Sequence, residues 1–167
     1  VGIQFTLQRY DVQVVGRMFQ FVGQMEPIGR TMDYFNDETR STFLLYDAKI
    51  SPVTPGSPLA GIARSEIAVG DSELGLVYFL DPEYRQKVDV MKTSDRVIAY
   101  TPHAVLRGNF HRAAETRLMG LFDMMQGSFL AMTDVSVFPL TALPAPFPRQ
   151  ADLLIVNRFF INLYHPE

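Results

Sequence analysis

Three histidines, His103, His111 and His165, are the only imidazoles in 167 residues, and there is no cysteine. Metal ligation needs three or four convergent ligands, so thiolate sites are excluded and no metal site is expected. His111 and Glu115 stand four apart, a spacing that shares one face of a helix, but one such pair is the pattern of a surface contact. Ser41 and Ser128 occur at matching positions without a matching histidine. No G-x-S-x-G accompanies them, so they read as hydroxyls at a turn or strand start and not as nucleophiles. No P-loop or G-x-G-x-x-G offers a backbone cradle for nucleotide phosphates. Asp33 with Asn36, and Asp37 with Glu38, have no partner pattern later in the chain, which weakens a catalytic dyad or a cation site. No catalytic residue and no cofactor is therefore expected. The remaining chemistry is Arg107, Arg112 and Arg117 with Phe110 and His111 interleaved, a mixture of cations and rings that suits single-stranded RNA.

The polar residues that recur do so within a longer repeat. Arg30–Thr54 and Arg117–Thr141 align without a gap at an offset of 87 (117 − 30). Arg30, Met32, Phe35, Ser41, Asp47, Pro52 and Thr54 reappear as Arg117, Met119, Phe122, Ser128, Asp134, Pro139 and Thr141. Self-similarity of this kind points to two copies of one structural unit. Arg30, Asp47, Arg117 and Asp134 sit amid apolar neighbours, so a buried Arg–Asp pair holding a helix to a strand is expected in each copy.

Periodicity places the elements. Residues 3–18 and 19–25 read as strands, with Gly16 and Gly23 marking bulges or close backbone approach. A short helix is expected over 30–37, closed by Asn36 in left-handed geometry. Strands follow at 42–53, 62–69 and 74–80. The charged stretch 81–92 reads as a solvated link. The second copy repeats the order, with strands at 96–100 and 104–110, a helix within 113–125, a strand at 129–140 and a final apolar strand or two over 153–164. The fold class is α+β and β-rich, as two similar small β-barrel or sheet units, each with a short helix, at 1–80 and 93–167. Two alignments of the tails are open, and the one that matches Ile62 with Ile155, Arg64 with Arg158 and Ile67 with Ile161 is preferred.

The segments VLRGNFHRAAETRLMGLFD, FLAMTDVSVFPL and LLIVNRFFINL resemble an uncharacterised bacterial domain family. Its pattern is a glycine after a strand, R-L-x-D-x-L-N, F-L-x-L-T-D-V-x-V and a closing V-x-V-N-R strand. The second copy carries Gly120 and Asp123 where that family has Asp and Asn, whereas the first keeps Asp33 and Asn36. The resemblance implies tandem copies of a small β-rich domain and no activity. A more distant likeness is to Sm-like small barrels, through Asp33, Asn36, Asp47, Ala48, Arg64 and Ile67. That likeness implies RNA binding for the family but does not establish it for this chain.

Composition narrows the classes further. Hydrophobic residues make up 47% and charged residues 20%, a globular balance, and the formal net charge of −3 disfavours a general nucleic-acid binder. No apolar run is long enough to span a bilayer and no leader pattern opens the chain, so a soluble, cytoplasmic protein without a membrane partner is expected. The expected function is a non-catalytic binding or scaffold protein that assembles through apolar strand edges, with itself or with a protein partner. Phe159, Phe160, Ile161, Leu163 and Tyr164 are the candidate interface, because a strand there would be apolar on both faces. The alternative is a nucleic-acid-binding or regulatory small barrel using Arg107, Phe110 and Arg112. An enzyme with a pocket between the halves is the third reading.

Overall fold

The computed structural model describes residues 7–167, so the first part of the strand expected from residue 3 lies outside it. The ten strands of the described residues join one antiparallel sheet. The first half supplies β1 (Tyr10–Gly16), β2 (Phe19–Met25), β3 (Thr42–Pro52), β4 (Ile62–Gly70) and β5 (Leu74–Phe79). The second supplies β6 (Thr93–Tyr100), β7 (Ala104–Arg112), β8 (Phe129–Pro139), β9 (Gln150–Asn157) and β10 (Leu163–Pro166). The order across the sheet is β10-β6-β7-β8-β9-β5-β1-β2-β3-β4. The sheet is open, which corrects the expectation of closed barrels. The outer edge of β5 is occupied by β9 and not by β4 of its own half. Each half is thus a run of five strands in a shared sheet.

Both halves follow the same strand order and the same registers. Val15 opposes Gln20, Gln20 opposes Ser51 and Thr42 opposes Gly70. Tyr100 opposes Val105, Val105 opposes Phe138 and Phe129 opposes Asn157 in the same way. Gly70 therefore corresponds to Asn157, and the offset of 87 (157 − 70) runs on through the tails. Neither tail alignment drawn from the sequence is the observed one: Arg64 corresponds to Ala151, not to Arg158.

Short helices precede β3 and β8. The first is α1 (Thr31–Phe35), closed by Asn36, whose φ of −99° is not left-handed. The second helix is shorter than its sequence implies. A 3₁₀ turn at Leu118–Gly120 leads into α3 (Leu121–Met124), and residues 113–117 are irregular. Asp47 and Asp134 are also not what they were expected to be. All four of Arg30, Asp47, Arg117 and Asp134 are exposed, and no salt bridge among the described residues joins them. The aspartates instead hold positive φ, 47° and 51°, where β3 and β8 bulge. Each bulge faces a glycine, Gly23 or Gly108, where the register shifts. A Cβ on Gly23 would lie 2.9 Å from the Tyr46 carbonyl oxygen, and one on Gly108 3.0 Å from that of Thr133. Aspartate recurs because its short polar side chain tolerates left-handed backbone, which costs most residues about 1–2 kcal/mol. Asp47→Gly should therefore keep the thermal midpoint, whereas Asp47→Val should lower stability by about 1–2 kcal/mol. Equal midpoints for the two in a melt would remove the backbone explanation.

Two cores lie on the sheet and the halves exchange residues between them. The first gathers Val12, Phe21, Phe43, Leu45 and Phe79 of the first half, but also Phe129 and Ile155 of the second. The second gathers Leu106, Phe110, Met132, Leu154 and Phe160, but also Val15 and Leu76 of the first. Along β9, Leu154 and Val156 face one core and Ile155 the other. That is why β5 and β9 read as near-continuous apolar runs: both faces are buried.

The segment 81–92 links β5 to β6 with most of its residues exposed, as expected, but it is also structured. It forms α2 (Pro82–Gln86), capped by the Asp81 carboxylate on the Glu83 amide. Arg85 reaches Asp152 at 2.6 Å and Val88 is buried against Ala131 and Leu153. Tyr84 stacks at 4.1 Å on Tyr10 and 4.6 Å from Phe79, and its hydroxyl accepts from Thr31. Burial pushes the Tyr84 hydroxyl up to about 12, against the smaller opposing effect of the Thr31 hydrogen bond. The folded state then holds a proton that the unfolded chain releases near pH 10, so stability falls as pH rises from about 10 to 12. Tyr84→Phe should flatten that loss in denaturant titrations at pH 9 to 12. An unchanged slope would assign the alkaline loss to other groups.

Candidate functional site

The histidines do not converge. His103 Nε2 lies 2.7 Å from the Arg17 carbonyl oxygen, and His165 Nε2 lies 3.2 Å from the Tyr100 hydroxyl. His111 stands on β7, not on a helix with Glu115; its Nδ1 is 2.7 Å from the Met91 carbonyl oxygen and its Nε2 2.7 Å from the Thr133 hydroxyl. Among the described residues no cluster of three or more histidine or carboxylate side chains is placed to hold a metal. Ser41 and Ser128 occupy the position before β3 and β8. Their carbonyls accept from the amides of Asp71 and Arg158, so the matched pair works through its backbone.

The residues proposed for RNA are separated by the fold. Phe110 is 0% exposed, in the centre of the second core, and offers no ring to a base. Arg107 is paired with Glu167, and Arg112 Nε reaches Asp95 at 2.6 Å. The Arg107 guanidinium, with Arg96 behind it, holds the Glu167 carboxyl below the usual range.

The candidate interface residues divide. Phe160 and Ile161 are buried, and Phe160 sits in a 3₁₀ turn over Arg158–Phe160 and not in a strand. Phe159 and Leu163 are exposed, at 64% and 55%. Tyr164 packs on Phe110 and Phe122 and donates to the Leu118 carbonyl. The second apolar face of the 153–157 stretch is covered by the other half, through Ile155.

Two features remain open. One is the pair of sheet ends. At the junction, Leu76 opposes Val156 and Val77 opposes Ile155. The corresponding strands of the opposite halves, β10 and β4, are the two edges. By register Leu163 corresponds to Leu76, since each opposes the matching residue of β6 or β1, Tyr100 or Val15. Leu76 is 0% exposed, whereas Leu163 is 55% exposed at the β10 edge, beside which no strand of the described residues lies. Ala68, exposed on β4, corresponds to buried Ile155.

The other is a cleft of about 740 Å³ between the halves. Its floor is β8, through Phe129, Leu130 and Ala131, and its walls are α1, α3 and the segment Asp89–Met91. Sequence reasoning offered a pocket between the halves only as the third reading and named none of its lining, because floor and walls come from separate stretches of chain. It also missed the amides that bolt the halves together. Asn36 Nδ2 donates to the Phe129 carbonyl at 3.0 Å while its Oδ1 accepts from the Phe129 amide at 2.8 Å. Buried Gln20 makes the same two-way contact with Ala145, and buried Asn157 donates to the carbonyls of Asp71 and Leu74. Gly127 makes room for the first of these: a Cβ there would sit 2.1 Å from Asn36 Oδ1. No helix among the described residues is long and apolar enough to cross a membrane. No family model, curated protein or solved structure matches the chain.

Proposed function

We propose that the chain is a non-catalytic scaffold, built by internal duplication, that assembles with further copies of itself through the two ends of its sheet. The observation that carries this reading is the junction inside the chain. There β5 of one half pairs with β9 of the other, and the strands left at the ends, β10 and β4, correspond to the same two. An edge of this kind is a template for another strand. Repeating the internal junction between chains would set Leu163 opposite Val69 and Tyr164 opposite Ala68, the equivalents of the observed rungs. Leu163 would then enter the first core of the next chain beside Val69, as Leu76 enters the second core. A head-to-tail contact of this type is heterologous, and it closes into a ring or extends into a filament according to its rotation.

Duplication is supported by the matched registers and by an aspartate at positive φ facing a glycine in both halves. The nucleic-acid reading has no comparable support, since its ring is buried and two of its arginines are paired. The test is mass by light scattering across a concentration series. The wild type should exceed one chain, and Leu163→Glu or Ala68→Pro, one at each edge, should each return it to a single chain. A wild type of single-chain mass at every concentration overturns the reading.

A further inference from the structure

We infer that the cleft between the halves is a binding site for a small organic cation with an apolar body. Its volume of about 740 Å³ falls within the range of small-molecule sites, roughly 300–1,000 Å³. The lining sorts by character. Leu121, Phe129 and Leu130 anchor the floor in the two cores, with little of their own surface open, so the apolar surface a ligand would meet is mainly that of the walls. Four methionines, Met32, Met91, Met124 and Met125, surround the floor. Unbranched, polarizable methionine side chains adapt to ligands of varied outline. Met91 and Met124 are exposed, at the ends of the walls formed by the connecting segment and α3.

The charges of the lining have one sign. Asp33 and Glu38 contribute carboxylates from α1 and the turn after it and Asp89 one from the connecting segment, and among the described residues no lysine or arginine lines the cleft. None of the three forms a salt bridge with another of the described residues. The one basic ring, His111, has both nitrogens within 2.7 Å of the Met91 carbonyl oxygen and the Thr133 hydroxyl, so it props the wall and is not free to meet an anion. Carboxylates around a low-dielectric concavity focus a negative potential into it and draw cations. Methionine surface beside them favours a cation that carries hydrocarbon over a bare metal ion or ammonium. The amide clamp of Asn36 on Phe129, seated on Gly127, fixes the floor relative to α1, so the site is formed before any ligand arrives.

Benzyltrimethylammonium is a suitable probe, with benzenesulfonate as its anionic counterpart of similar size. Labelled methionine methyls report directly: four of the eight line the cleft, and Met18, Met25, Met119 and Met132 serve as controls. A probe this small should bind at about millimolar affinity. The methyls of Met32, Met91, Met124 and Met125 should titrate together with the cation while the controls stay still, and benzenesulfonate should move none of them. The variant Asp33→Asn/Glu38→Gln/Asp89→Asn changes only exposed side chains, so it should stay folded and bind the cation about tenfold more weakly. Equal shifts with either probe, or unchanged affinity in that variant, overturn the inference. So does an absence of shifts at tens of millimolar cation. Concentration-dependent shifts of the four cleft methyls without any probe would mean that a second chain fills the cleft, and they overturn it too. Because Leu163→Glu abolishes edge pairing without touching the cleft, the titration can be run on that variant, and failure of either reading is seen separately.

Discussion

Phe129→Ala lowers stability by about 3–5 kcal/mol, the range for an aromatic removed from a filled core. The residue begins β8 of the second half but packs among rings of the first. It lies 5.3 Å from Phe35 and 5.7 Å from Phe43, and it is 2% exposed. The loss should fall on both halves together, because Ile155 follows it into the first core while Val15 and Leu76 cross into the second. Urea unfolding read by tyrosine fluorescence and by far-ultraviolet dichroism should give one coincident transition for the wild type and one for the variant, shifted to lower urea. Two transitions, with only one of them moved, would mean that the halves are separate domains that happen to touch.

Asn36→Ala has the second large effect, about 2–4 kcal/mol. The deletion leaves the Phe129 amide and carbonyl without partners at a partly buried site, and each such group costs about 1–3 kcal/mol. Asn36→Asp separates the two contacts. Its carboxylate still accepts from the Phe129 amide but cannot donate to the carbonyl, so its midpoint should lie between those of wild type and Asn36→Ala. An alanine variant as stable as the wild type would show that water replaces the clamp at no cost, and the halves would then be held by apolar packing alone.

The strands were legible because their signals are local. β3 shows alternation and both strands meet a proline, and the ungapped repeat placed them at 42–53 and 129–140, within one residue of the observed Thr42–Pro52 and Phe129–Pro139. Their partners were not legible, since register depends on contacts far apart in the chain. The repeated aspartates illustrate the difference. Their recurrence was visible, but a polar residue among apolar ones suits a buried ion pair as well as a bulge, and only backbone geometry separates them. Phe160 and Phe159 are adjacent and alike, and the 3₁₀ turn at Arg158–Phe160 sends one into the core and the other to solvent. The helix expected over 113–125 was read from apolar spacing, but Gly120 and Gly127 lie within and just after it, and glycine weakens helix by about 1 kcal/mol per residue. The cleft had no local signature, because α1, the 89–91 segment, α3 and β8 are brought together only by the pairing of the halves.

The register of the two sheet ends offers the most direct measurement. The chain has no cysteine, so thiols placed in it are the only ones present. Val69→Cys and Leu163→Cys are made in separate chains of different mass, mixed and oxidised gently. Opposed residues of paired strands are close enough for a disulfide, whereas residues on unpaired edges are not. If β4 of one chain pairs with β10 of the next as β9 pairs with β5, the mixed disulfide between the two variants forms in preference to either homodimer. A shift of one member by a single residue, Ala68→Cys in place of Val69→Cys, should reduce its yield sharply. Crosslinking that is random among the three dimers, or that ignores the one-residue shift, would contradict edge assembly in this register.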